Sequence, residues 1–213
     1  MRRLAPAFVV PAIAALALLA WPAAAQKLPG TPDSAAISGG TYSVDPDHTL
    51  VRFEVDHFGI TPYTGIFGDV TGTLTLDPAT PDAARLDISI PLAKVTTASP
   101  GLTSHLLRAG KDGGLPDFFG PTPQPARFVS TSVSATAQGA TITGSLTLNG
   151  VTRPVTLHAR LYGAGTMPER MGGKENIGFR ATTTIRRSAF GISYGVPMVS
   201  DDVSLDIIAA FTK

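Results

Sequence analysis

Cysteine is absent from all 213 positions. That excludes a disulfide framework, thiol catalysis, cysteine-type zinc sites, c-type haem attachment and a cysteine-linked lipid anchor. Charge is scarce and balanced: 15% of residues are charged, with 17 Lys+Arg against 16 Asp+Glu. Such a balance gives no electrostatic reason to expect nucleic acid as a partner. Signatures of catalysis are missing too. No G-x-S-x-G nucleophile elbow occurs. The four histidines, His48, His57, His105 and His158, lack the spacing of a zinc ligand set. His48 and His57 stand an odd interval apart on what reads as one strand, which turns them to opposite faces. No metal and no cofactor are expected.

The first residues carry a sorting pattern instead of a fold. Arg2 and Arg3 precede an apolar run over residues 4–20, and Ala23-Ala24-Ala25 precedes Gln26. A basic start, an apolar middle and a small-residue end read as a secretory signal peptide, residues 1–25, cut after Ala25. The run is interrupted by Pro6 and Pro11 and is short for a stable span, so no lasting membrane anchor is expected. Losing the two arginines takes the formal net charge from +1 to −1. Residues 26–40 hold turn-formers and small residues without periodicity, and read as a flexible leader. Residues 41–213 suit one domain.

Within that domain, alternation is nearly continuous. Val51, Phe53, Val55 and His57 fall on one face, with Arg52, Glu54 and Asp56 on the other. A period of two with apolar and charged residues taking turns marks a strand with one wet face. After the turn chemistry of Gly59 to Gly65, Val70, Gly72, Leu74 and Leu76 resume the pattern. Leu86 and Ile90, Phe128 and Ser130, Ile142 and Leu146, Val155 and Leu157, Phe179 and Ile185, and Val203 and Phe211 mark six further alternating runs. Asn149-Gly150 is a strong two-residue hairpin signal. Residues 94–125 break the rhythm. Ser99 before Pro100 is helix-start chemistry for two or three turns, and the breakers that follow enclose Phe118 and Phe119. The class is therefore all-β: an eight-stranded antiparallel barrel with one short helix in a long crossover loop. A crossover of that length is expected to be functional or to cover an opening.

Eight strands enclose room for packed side chains or for one small ligand. The inward-facing set is apolar and includes glycines at Gly72 and Gly144, which read either as bends or as space. His57 is the polar exception, read as either a bonded core histidine or a head-group contact. Arg187, beside Arg186 at a strand end, is a candidate partner for a ligand phosphate. Phe118, Phe119 and Phe190 are candidates to line the mouth. Phe53, Val55, Phe67, Leu74, Phe128, Leu146, Phe179 and Ile185 complete the candidate lining.

Several stretches, taken in order, resemble the YceI-like family. They begin with Tyr42, Asp45, His48-Thr49, Val51, Phe53, Val55, His57 and Gly59, and continue with Gly65 and Phe67. They go on through Pro125-Ala126-Arg127-Phe128, then Gly144, Leu146 and Leu148 into Gly150-Val151-Thr152, and then Arg187-Ser188 with Phe190-Gly191-Ile192. The closing run is Val199-Ser200-Asp201-Asp202-Val203. The link at 110–114 is longer than the family's pattern. The resemblance implies a lipocalin-like barrel exported to the periplasm, with a long apolar ligand of the polyisoprenoid, isoprenoid-quinone or fatty-amide type inside. The expected function is thus a non-catalytic lipid carrier, with a homodimer compatible. Two other readings stay open: a periplasmic enzyme acting on an isoprenoid lipid with His57 as acid or base, and a ligand-free interaction barrel.

Overall fold

A computed structural model of the chain describes residues 28–213. The stretch read as a signal peptide and the first two residues of the expected leader lie outside these. Eleven strand segments form one antiparallel sheet: β1 (Gly40–Val44), β2 (Leu50–His57), β3 (Thr61–Phe67), β4 (Thr71–Leu76), β5 (Arg85–Ile90), β6 (Val95–Thr97), β7 (Ala126–Thr136), β8 (Gly139–Leu148), β9 (Val151–Thr166), β10 (Glu175–Arg186) and β11 (Asp202–Thr212). The ring runs β1-β4-β5-β7-β8-β9-β10-β11 and closes where β11 meets β1 again. Eight strands therefore shut the barrel, as the alternation predicts.

The other three segments continue the first three strands past breaks. Residues 45–49 separate β1 from β2. Left-handed Asp69, at φ 59°, separates β3 from β4. Pro91 and a single 3-10 turn over Leu92–Lys94 separate β5 from β6. Strand β11 serves both halves: Ser204 to Ile208 pair with β2, while Phe211 and Thr212 pair with β1. Closing a sheet into a ring removes its edges and satisfies the backbone without help from disulfides.

Two glycines on the inward face serve neither as simple bends nor as space. The Phe128 ring of β7 lies where a side chain at Gly144 would stand. At Gly72, φ is 135° and the β5 backbone at Asp87 comes too close for any Cβ.

Chain direction sorts the two ends. One end, the floor, carries the β2–β3 hairpin, the crossover and the 187–201 loop. Helix α1 (Pro100–Leu107) lies in that crossover, its first turn capped by the Ser99 hydroxyl accepting from the Leu102 amide at 3.3 Å. His105 and Arg108 both reach the Asp117 carboxylate, at 2.8 and 2.7 Å. Their hydrogen bonds, Arg108's first, hold that carboxyl below its ordinary range. Phe119 stacks edge-on against Phe67 with centroids 5.8 Å apart, and Phe118 packs against His105 and Tyr194. The crossover thus plugs one end of the barrel.

Candidate functional site

Above that plug the barrel is hollow. The cavity measures about 470 Å³, within the range of sites that hold small molecules. Its walls are the inward faces of the strands: Ile88, Phe128, Leu146, Leu157, Phe179 and Ile207 among others. It reaches the end opposite the crossover, where the β4–β5 turn contributes Pro78 and Pro81 and the β7–β8 turn contributes Ala137 and Gln138. The mouth is therefore built from short turns.

The leader is not loose over the residues described. Thr31 and Ala164 exchange two backbone hydrogen bonds, of 3.0 and 2.8 Å. The chain then crosses the mouth, with Pro32, Ser34 and Ile37 lining the cavity and Ile37 buried. The Ser38 amide donates to one Glu175 carboxylate oxygen at 2.9 Å and its hydroxyl donates to the other. The Tyr42 hydroxyl donates to the same carboxylate at 2.8 Å, and the Lys213 ammonium donates to the Gly39 carbonyl at 2.6 Å. The expectation of a flexible leader is corrected for this segment: it is a strap fastened at both ends. Turn-formers and small residues without periodicity suggested mobility, but the strap is held mainly by partners remote in sequence.

Burial pushes the Glu175 carboxyl up, but the Ser38 and Tyr42 hydrogen bonds and the Lys213 charge outweigh it and leave the group below its ordinary value. A carboxyl with a depressed pKa in the folded chain stabilises the fold above the unfolded pKa and loses that contribution as pH falls through the folded value. Glu175→Gln is accordingly expected to cost about 1–2 kcal/mol at pH 7, the scale of charge-assisted hydrogen bonds. The gap from wild type closes towards pH 3. Urea unfolding of both proteins at the two pH values measures this; a gap independent of pH contradicts the assignment.

Of the thirteen residues read as ligand-binding, Leu74, Phe128, Leu146 and Phe179 line the cavity. The others lie elsewhere. Phe53 and Phe67 pack on each other at 5.4 Å, and Val55 sits beside them on the floor-side stretch of β2. Phe118 and Phe119 belong to the plug, so they do not line the mouth. Ile185 and Phe190 are buried in the core near the floor. His57 ends β2 exposed to solvent, its ring edge-on to Phe58 at 4.5 Å. It meets the inward parity of its strand, but β2 has by then run past the hollow, and the ring stands in solvent and not in the core.

Arg187, read as a partner for a ligand phosphate, is not a residue of the cavity wall. It is 6% exposed and donates to four backbone carbonyls of its own loop. Nε reaches Ser200 at 2.8 Å, Nη1 reaches Ile192 at 3.3 Å and Tyr194 at 2.8 Å, and Nη2 reaches Val199 at 2.8 Å. Burial pulls this guanidinium below its usual pKa, against the opposing charge of Asp201.

Sequence reasoning missed the mouth itself. Pro32, Ser34, Gln138 and Arg160 line it, and none lies at an inward position of an alternating run. Among the described residues no group of three or more His, Asp or Glu is placed to hold a metal.

Comparison with known proteins agrees with this architecture. The YceI-like domain family matches residues 42–211. Protein YceI of Shigella flexneri is 38% identical over 169 residues, covering 78% of this chain and 83% of that protein. The crystal structure of Burkholderia cenocepacia BcnA superposes with a TM-score of 0.62 at 22% identity, covering 78% of this chain and 98% of that one. A polyisoprenoid binding domain from Saccharophagus degradans, implicated in plant cell wall breakdown, superposes with a TM-score of 0.53 at 14% identity, covering 80% and 97%. The closed ring, the plugged floor and a match spanning nearly every strand lead to one conclusion: this chain belongs to the YceI-like family.

Proposed function

We propose that the protein is a carrier that holds one long-chain apolar lipid, of the polyisoprenoid, isoprenoid-quinone or fatty type, inside its barrel. The observation that carries this reading is the apolar hollow of about 470 Å³ open at one end. Support also comes from the polyisoprenoid binding domain that shares the fold. We place the protein in the periplasm on the strength of the pattern over residues 1–25.

Magnitude favours the tail as the main source of affinity. Each buried methylene contributes about 0.8 kcal/mol. Ten to twenty carbons then give on the order of 10 kcal/mol before ordering and association costs. Affinity is expected to climb with chain length at constant head group, several-fold per added pair of carbons, until the hollow is full.

The test is mass spectrometry of organic extracts of the exported protein, followed by displacement of a fluorescent lipid with a chain-length series. A stoichiometric long-chain lipid in the extract is the expected result. No lipid from several hosts, together with no displacement at any length, would falsify the reading and favour an interaction barrel. The enzymatic alternative leaned on His57, which lies outside the hollow. His57→Ala is expected to leave lipid affinity unchanged, and loss of turnover of a bound lipid would restore that alternative.

A further inference from the structure

Six of the ten large apolar side chains exposed among the described residues gather at the closed end of the barrel. The β2–β3 turn brings Phe58 and Ile60, the crossover brings Leu115, and the 187–201 loop brings Tyr194, Val196 and Met198. Ile60 is 84% exposed and Leu115 92%. Backbone bonds and ring contacts tie these segments into one face. The Phe58 amide donates to the Met198 carbonyl at 2.7 Å, and the Ser200 amide donates to the Asp56 carbonyl at 2.9 Å. The Tyr194 ring stacks edge-on against His105 at 5.1 Å and against Phe118 at 5.5 Å. Leu115 precedes Phe118 in the same crossover. Phe58 itself is held at φ 63°. A bulky side chain is seldom found in the left-handed region, where its Cβ crowds the next carbonyl. Here that conformation leaves an aromatic ring half in solvent.

Single apolar residues scattered over a surface need no explanation, but a contiguous patch beyond a few hundred Å² marks a place that something covers. At their fractional exposures the six side chains present roughly 700 Å². Each side of a stable pairing buries about 800 Å². The patch and a thin polar rim supply that area. A bilayer is the other apolar partner to weigh, and it fits less well. The mouth opens at the opposite end, so a floor seated in lipid would turn the hollow away from the membrane. No surplus of positive charge draws the floor to anionic lipid either. Arg108 is tied to Asp117 and Arg186 to Asp201, and Lys111 and Arg153 are matched in number by Asp112 and Asp202. A rim with both signs suits a face that meets its own copy, because a two-fold axis lets each sign face the other.

We propose that two copies of this chain pair floor to floor through this patch, with both mouths turned outward and free. The pairing is independent of what the hollow holds.

The test is sedimentation velocity of the exported protein over a micromolar concentration series. Wild type is expected to run at the mass of two copies. Ile60→Asp and Met198→Asp each place an unpaired carboxylate in the interface from both sides, and each is expected to weaken self-association by about a hundredfold or more. Tyr162→Asp, at an exposed position towards the other end, leaves the pair intact. Circular dichroism shows that the variants fold. Because the chain has no cysteine, Ile60→Cys offers a single thiol, and a short bismaleimide is expected to join two copies of that variant but not of Tyr162→Cys. Wild type that stays single at every concentration, or a pair that survives Ile60→Asp combined with Met198→Asp, overturns the proposal. So does a single wild-type chain that floats with phosphatidylglycerol vesicles and loses them on Ile60→Asp, which would give the patch to a bilayer.

Discussion

The double substitution Ala159→Phe and Ala181→Phe is expected to abolish lipid uptake while the barrel stays folded. The two alanines face each other across the β9–β10 pair, and both line the hollow. Two phenyl rings there take the space a ligand's tail would occupy. Excluding even four carbons removes about 3 kcal/mol of tail burial, or roughly a hundredfold in affinity, and excluding more removes proportionally more. The effect on the fold is smaller and of either sign. Filling a void commonly adds about 0.5–2 kcal/mol, and overpacking costs about 1–3 kcal/mol. Thermal unfolding and displacement of a fluorescent lipid, measured on the same preparation, separate the two. Full-strength binding by a folded double variant would mean that the ligand lies outside the barrel.

A second large effect is expected at Arg187. Replacing it with methionine keeps the bulk but strips hydrogen bonds from the carbonyls of Ile192, Tyr194, Val199 and Ser200 in the loop that closes the floor. A buried polar group left unpaired costs about 1–3 kcal/mol. With water reaching some of the four, the expected loss is about 4 kcal/mol, a large share of the stability of a domain this size. Arg187→Lys recovers less than half, because a compact ammonium cannot span carbonyls arranged around a planar fork. Its neighbour is the control. The Arg186 side chain is 72% exposed and pairs with Asp201, so Arg186→Met is expected to cost under about 1 kcal/mol. Urea unfolding of the three variants decides the matter. A loss below about 1 kcal/mol in Arg187→Met would show that the loop does not depend on its arginine.

Both predictions show what a one-dimensional pattern conveys. Alternation announced eight strands and told apolar from wet faces, and Leu74, Phe128, Leu146 and Phe179 all came from that count. It conveys face but not depth. Phe53, Val55 and His57 share the parity of Val51, yet only Val51 among them reaches the hollow. The left-handed break at Asp69 carries no turn signature of its own, and the buried residues on either side of it, Phe67 and Val70, stand an odd interval apart. Capping chemistry located the helix, since Ser99 and Pro100 act locally. The same crossover was read as a cover for the opening, and its Phe118 and Phe119 as mouth residues, because length and aromatic content stood out. Which end of a barrel is plugged depends on how far each strand overshoots its neighbour. Single-strand periodicity does not contain that information. Arg187 was opaque for a related reason: its four acceptors are main-chain carbonyls, which carry no signature in a sequence.

The strap over the mouth also bears on where the folding unit begins. Strand β9 outlasts β8, and a strand that outlasts its neighbour offers unpaired amides and carbonyls to any other chain. Residues around Thr31 occupy part of that rim, and Gly165 lacks a side chain where the Pro29 backbone passes. Family similarity starts at residue 42. A chain trimmed to that boundary would keep every segment of the wall from β2 onward, yet lose its guard against sticking to its own copies.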